Sequence, residues 1–304
     1  MHRERLSIKY VLSKWQLFLM LTPALVVLII FAYVPMYGVI IAFQNFSPGR
    51  GMFRSEWVGL LHFRDFFAST MFNTTLRNTI LLSLYSILWG FPLPIIFALF
   101  LNQMRFMRFK RFVQTVSYAP FFISTVVMVS MLNLFLAPSN GFINILLGMI
   151  GIGPINFMIR AEWFRTVYIA SEIWQGTGWG AIIYLAALSA VSPDLYEAST
   201  IDGASKWQRI LYIDIPSIVP TIAILLILRV GNLMSVGFER ALLMQQGMNI
   251  TTSEIIATYV YKIGLMGAQH SLAGAIGLFN SLINFALLLM VNSFVKKISG
   301  WGLW

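Results

Sequence analysis

Two charged residues stand where charge is expensive. Glu172 lies well inside the apolar stretch 164–188, and Arg229 lies inside the apolar stretch 216–236. An ionisable side chain within a bilayer faces a partner, a cavity or both. Two chemistries are open to this pair. One is an ion pair that fixes helix register; the other is a pair of groups on a transport path, hydrogen-bonding sugar hydroxyls or an acidic sugar. At 1.5 Å per residue in a ~30 Å core, both fall roughly 9–13 Å below the same surface. Both are therefore expected to face the interior of a helix bundle. Trp174, Gln175, Trp179 and Tyr184 surround Glu172 in sequence, and Asn232 and Phe238 follow Arg229. Flat apolar faces mixed with amides are what sugar sites use, so all eight residues are candidates for a substrate pathway.

Other chemistries find no support. The chain has no cysteine, and His2, His62 and His270 are too scattered to suggest a metal site. No G-x-x-x-x-G-K-[ST] phosphate loop is present; the glycines of 148–153 and 176–180 lack the lysine. The eleven acidic residues are spread out, and the densest group, Asp194, Glu197, Asp202 and Asp214, sits in one polar connection. A membrane enzyme would need a clustered nucleophile, acid–base pair or metal set. No catalytic residue, metal or cofactor is assigned, and any ATP must be hydrolysed elsewhere.

The elements that position these residues are membrane helices. Of the 304 residues 58% are hydrophobic and only 11% charged, far below the ~25% charged of soluble domains. A net charge of +10 in such a chain reads as basic loops against anionic lipid. The basic aromatic run Arg105–Arg111 is read the same way, not as a nucleic-acid contact. Six stretches are long enough to span: 15–43, 76–101, 112–136, 164–188, 216–236 and 271–294. The first is too long for a signal-peptide core and lacks a cleavage site, so it is read as an uncleaved anchor. With the N-terminus inside, twelve lysines and arginines fall on the cytoplasmic side and eight on the outer side, favouring cytoplasmic N- and C-termini. Ala273, Gly274 and Gly277 form a small-residue face on the last span, suited to close packing.

That orientation places the polar connection Glu197–Pro216 in the cytoplasm. Glu197–Ile201 reads as a helical turn, Gly203 as the residue that lets the chain reverse, and Lys206–Ile213 as the start of a helix returning to the membrane. The stretch resembles the EAA loop of type I ABC-importer permease subunits. In that pattern Glu-Ala-Ala is followed after three residues by Gly, and after nine more by Ile-x-Leu-Pro. Glu197, Ala198 and Gly203 match, and Ile213-Asp214-Ile215-Pro216 fills the last slot; Ser199 and Ile215 depart from it. Ile173-Trp174-Gln175, Gly178-Trp179-Gly180 and Tyr184-Leu185-Ala186-Ala187-Leu188 are similar to the carbohydrate branch, which includes the maltose-transporter permeases. Val230–Glu239 and Tyr259-Val260-Tyr261-Lys262 are closer still to a subgroup for plant or algal oligosaccharides, sometimes called LplB-like.

The resemblance implies an all-α polytopic fold with six transmembrane helices and a cytoplasmic coupling helix. It implies an N-terminal segment, anchor and outer loop over 1–74, a permease domain over 75–291 and a cytoplasmic tail over 292–304. Glu197, Ala198, Asp202, Gly203 and Ala204 would meet an ATPase subunit. The whole would be an oligosaccharide importer in a bacterial plasma membrane. Its other parts would be a second, non-identical permease, two ATPase subunits that bind ATP and Mg, and an extracytoplasmic sugar-binding protein. Outer loops 44–74 and 237–270 would face that binding protein. The alternative is a secondary transporter or channel for a small polar solute, which needs no ATPase but ordinarily shows inverted repeats or more spans.

Overall fold

The computed structural model describes residues 14–304; the basic segment 1–13, with His2 and part of the charge used for orientation, lies outside the described residues. In chain order the helices are α1 (Trp15–Phe43), α2 (Leu61–Ala68), α3 (Thr70–Asn102), α4 (Met107–Phe122), α5 (Thr125–Phe135) and α6 (Phe142–Met149). There follow α7 (Ala161–Ser189), α8 (Pro193–Ile201), α9 (Lys206–Gly231), α10 (Phe238–Met244), α11 (Ile250–Ser253), α12 (Ile256–Tyr261) and α13 (His270–Ser299). The only sheet among the described residues is a small hairpin, Gln44–Asn45 against Glu56–Trp57. The fold is thus helical and polytopic.

Four helices, α1, α3, α9 and α13, are long and apolar enough to cross a membrane alone, and two bent pairs, α4–α5 and α7–α8, raise the number to six. The first expected span agrees with α1 at both ends. The third does not form one straight helix: 112–136 is broken between α4 and α5 by a bend of 100°. Pro120 removes a backbone donor, Ile123 and Ser124 are extended, and the Ser124 hydroxyl accepts from the Val127 amide to start a new helix. The fifth stops at Gly231 rather than 236, leaving Asn232 beyond its end. The basic run Arg105–Arg111 is less of a loop than expected, because α4 already begins at Met107.

The chain divides into two compact units. One contains residues up to Phe67 together with Ile263–Leu278. There a Cβ at Gly274 would stand 3.6 Å from the Ala42 nitrogen, an ordinary contact, so this part of the small-residue face on α13 packs beside α1 with room for an alanine. The Phe46 amide donates to the Ser271 hydroxyl (2.9 Å), and the Phe43 and Trp57 rings stack at 5.7 Å.

The other unit comprises Ala68–Lys262 and Phe279–Trp304, and it holds the candidate site. One of its cores gathers Leu82, Met128, Phe164 and Tyr168; a second gathers Ala98, Ala181, Tyr184, Leu188 and Ile218. Helix α7 is the common wall. Gly178 lets α4 approach so closely that a Cβ there would overlap the Ser117 carbonyl. Gly178→Ala is therefore expected to cost about 1–3 kcal/mol, the usual price of overpacking. A thermal melt in detergent checks this, and an unchanged midpoint would count against so close an approach.

Candidate coupling elbow and transport path

The elbow is a helix, a left-handed turn and a second helix. The chain bends by 76° between α7 and α8, which starts at Pro193, earlier than the turn expected at Glu197. Ser192 caps that start by accepting from the Asp194 amide. At the far end the Ala204 amide donates to the Ser199 carbonyl (2.9 Å) and the Gly203 amide to the Thr200 carbonyl (3.1 Å). This is the Schellman pairing, and it needs a left-handed residue at Gly203, whose φ is +73°. Among the described residues nothing lies within 4 Å of where a Cβ would stand, so conformation, not space, calls for glycine.

Ser205 then opens α9 with a reciprocal capping box: its hydroxyl accepts from the Gln208 amide, and its own amide donates to Gln208 Oε1 (2.7 Å). Arg209 donates to the Thr200 hydroxyl (3.0 Å), tying the two limbs together. Glu197, Ala198, Asp202 and Gly203 are exposed and Ala204 is half-buried. They share the surface with Ile201, which is 87% exposed, and with Leu195 and Trp207. Exposed apolar side chains beside charged ones on a polar turn mark a contact surface.

A buried carboxylate holds the base of the elbow. Asp214 is fully buried within a π turn, Ile210–Asp214, just before Pro216, which has no amide to continue the ladder. Its Oδ1 accepts from the Tyr196 hydroxyl (2.6 Å) and Asn102 Nδ2 (3.2 Å), and its Oδ2 accepts from Gln103 Nε2 (2.6 Å). One side chain thus joins α8, the start of α9 and the end of α3. Burial, reinforced by Asp214, pushes the Tyr196 hydroxyl up to about 12, so it remains a donor at physiological pH. The lone acid in the final slot of the loop was visible in sequence; its partners, distant along the chain, were not.

The second cluster lies within the helices. Arg229 Nη2 donates to Glu172 Oε1 (2.5 Å) and to Ser86 Oγ (2.5 Å), and the Ser86 hydroxyl donates to the same Glu172 oxygen (2.8 Å). The ion pair therefore forms, and Arg229 reaches inward to groups on α3 and α7, in keeping with the expected bundle-facing orientation. Its side chain remains 45% exposed and that of Glu172 23%. Ser86 opens a π turn, Ser86–Gly90, ahead of Pro92 and Pro94, a distortion often found at functional sites. A serine in an apolar run gave no sign of this in sequence.

The cluster stands between two cavities. One, of 290 Å³, runs along Gly90, Pro94, Gly176, Ile183 and Tyr184. The other, of 110 Å³, runs along Ser83, Ile87, Asn232, Ser235 and Gly237. Glu172 and Arg229 line both. The remaining candidates are placed elsewhere. Gln175 is buried and used at both ends: Nε2 donates to the Ile123 carbonyl (2.7 Å) freed by the α4–α5 break, and Oε1 accepts from Arg240. Arg240 also lies 5.5 Å over the Tyr168 ring. Trp179 stacks on Phe121 at 4.4 Å, Phe238 packs on Tyr261 at 5.2 Å, and Trp174 is exposed. None of these four lines either cavity.

Residues 90–300 match the family model described as the binding-protein-dependent transport system inner membrane component. The chain belongs to this family. The permease is 41% identical over 302 residues to the polygalacturonan/rhamnogalacturonan transport system permease protein YteP of Bacillus subtilis, covering 99% of this chain and 94% of that one. Protein LplB of the same organism is also 41% identical, over 96% of this chain and 91% of its own. Among solved structures, a chain of a bacterial alginate ABC transporter in complex with an alginate pentasaccharide-bound periplasmic protein superposes with a TM-score of 0.89. It is 39% identical, over 97% of this chain and 99% of that one. The permease is accordingly a multi-pass membrane subunit of the ABC importer class and not itself a catalytic enzyme.

Proposed function

We propose that this permease forms half of the translocation pathway of an ATP-driven oligosaccharide importer in a bacterial plasma membrane. The observation that carries this reading is the elbow, a rigid helix–turn–helix with an apolar tip and a left-handed Gly203 at the family spacing. The tip seats in a groove of an ATPase subunit, and Glu197, Ala198, Asp202 and Ala204 contact it. Two such ATPases supply the ATP- and Mg-binding sites that the sequence lacks. A second, non-identical permease completes the path, and an extracytoplasmic binding protein delivers the sugar. Both termini are cytoplasmic, which makes the Tyr184 cavity the inner one and the Asn232 cavity the outer one. The relatives that transport polygalacturonan/rhamnogalacturonan and alginate support an oligosaccharide substrate.

A mild-detergent pull-down from the native membrane tests the reading. Recovery of a phosphate-loop ATPase and a second permease with its own elbow is expected. Recovery of the chain alone, still active in sealed vesicles without ATP, would overturn it in favour of a secondary transporter.

A further inference from the structure

We infer that Glu172, Arg229 and Ser86 form a polar gate across this permease's wall of the pathway, shut in the present conformation and opened by sugar hydroxyls. The inference rests on the importer reading and deepens it. Three observations carry it. The ion pair is the shared boundary of the two cavities, with Asn232 and Ser235 on one side and Gly176 and Tyr184 on the other. It joins three separate spans, α3, α7 and α9, through one guanidinium, so any movement that separates those helices must break it. The cluster is also incompletely bonded: Glu172 Oε2 is buried without a partner among the described residues, while the bonds from Ser86 and Arg229 converge on Oε1.

The chemistry of the opener follows from that imbalance. An ion pair inside an apolar span is costly to split, because each charge is then left alone. It separates readily only if an incoming group replaces both halves at once. A sugar hydroxyl both donates and accepts, so neighbouring hydroxyls can donate to the Glu172 carboxylate and accept from Arg229. A carboxylate would pair with Arg229 but lie against Glu172, so the hydroxyl face of the sugar, not an acidic group, is the part this gate reads. A solute lacking such an array leaves the pair closed.

The absence of cysteine from the chain makes the test direct. Thr177→Cys places a thiol in the inner cavity of the fully assembled transporter, reconstituted in sealed vesicles with its ATPases and binding protein. A membrane-impermeant maleimide is applied from the outer face without substrate or ATP. With the gate intact, labelling should be slow. Adding Arg229→Ala should raise its rate at least about tenfold, as expected when the ion pair that holds the closed state is lost. The exchange Glu172→Arg with Arg229→Glu should bring it back down. Equal labelling in all three backgrounds would overturn the gate. So would failure of Arg229→Ala and Arg229→Lys alike to co-purify with the ATPases, which would make the pair a structural tie. ATP-driven uptake by the unsubstituted transporter in the same vesicles reports separately on the importer reading.

Discussion

Gly203→Val should abolish most ATP-driven uptake while leaving the permease inserted at normal levels. A β-branched residue is a strong outlier at φ +73°, and the left-handed conformation costs an ordinary L-residue about 1–2 kcal/mol. The elbow would relax that strain by giving up the Schellman bonds from Gly203 and Ala204, which aim α8 relative to α9. Uptake should fall at least about tenfold, because the loss falls on the segment that meets the proposed ATPase. The controls follow from the open space around the glycine. Asn adopts the left-handed region readily, so Gly203→Asn should be nearly tolerated and Gly203→Ala intermediate. Uptake and ATPase co-purification measured across the three variants decide the matter. If Asn were as damaging as Val, backbone conformation would not be the constraint, and the surface of the partner would be.

Asp214→Ala should be the most damaging single change at the base of the elbow. It takes the shared acceptor from Tyr196, Asn102 and Gln103, all half-buried, and leaves Asn102 only its bond to the Tyr196 hydroxyl. A hydrogen bond to a charged group contributes about 1.5–3 kcal/mol net, so losing the three together is enough to free the elbow from the end of α3. Asp214→Asn should be much milder. Its remaining oxygen can still accept from Tyr196 and Asn102, and Gln103 can turn its amide so that its own oxygen accepts from the new NH₂. Limited proteolysis of the elbow, read beside ATPase co-purification, separates the two variants. Equal damage from Ala and Asn would show that negative charge, not the count of hydrogen bonds, holds the joint.

How much of this was legible in the chain depended on how local the cause was. The first anchor, the fourth span and the position of the elbow follow from runs of apolar residues and from glycine and proline, whose effects reach only a few residues. Gly203 is the clearest case, since its spacing alone marked the reversal that its positive φ then displayed. Glu172 and Arg229 stood out because charge within an apolar span is rare whatever surrounds it. Their equal depth also pointed to each other.

Tertiary structure decided the partners. Ser86 is 86 residues from Glu172 and 143 from Arg229, and no local signal sets it apart from other serines in apolar runs. Gln175 looked like a sugar ligand by type, yet it braces the α4–α5 break because that break frees a carbonyl beside it and a membrane interior offers no water to satisfy it. The break itself depended on Pro120 and Ser124 acting together, where an apolar run alone read as one straight span. Asp214 was visible as an acid at a membrane boundary, but only packing brought three donors from two other elements onto it. Sequence determined which residues could not be left alone in this environment: charges, amides and helix ends must be satisfied wherever they fall. Which neighbours satisfy them was settled by how the helices pack, because those contacts join residues that one-dimensional spacing does not relate.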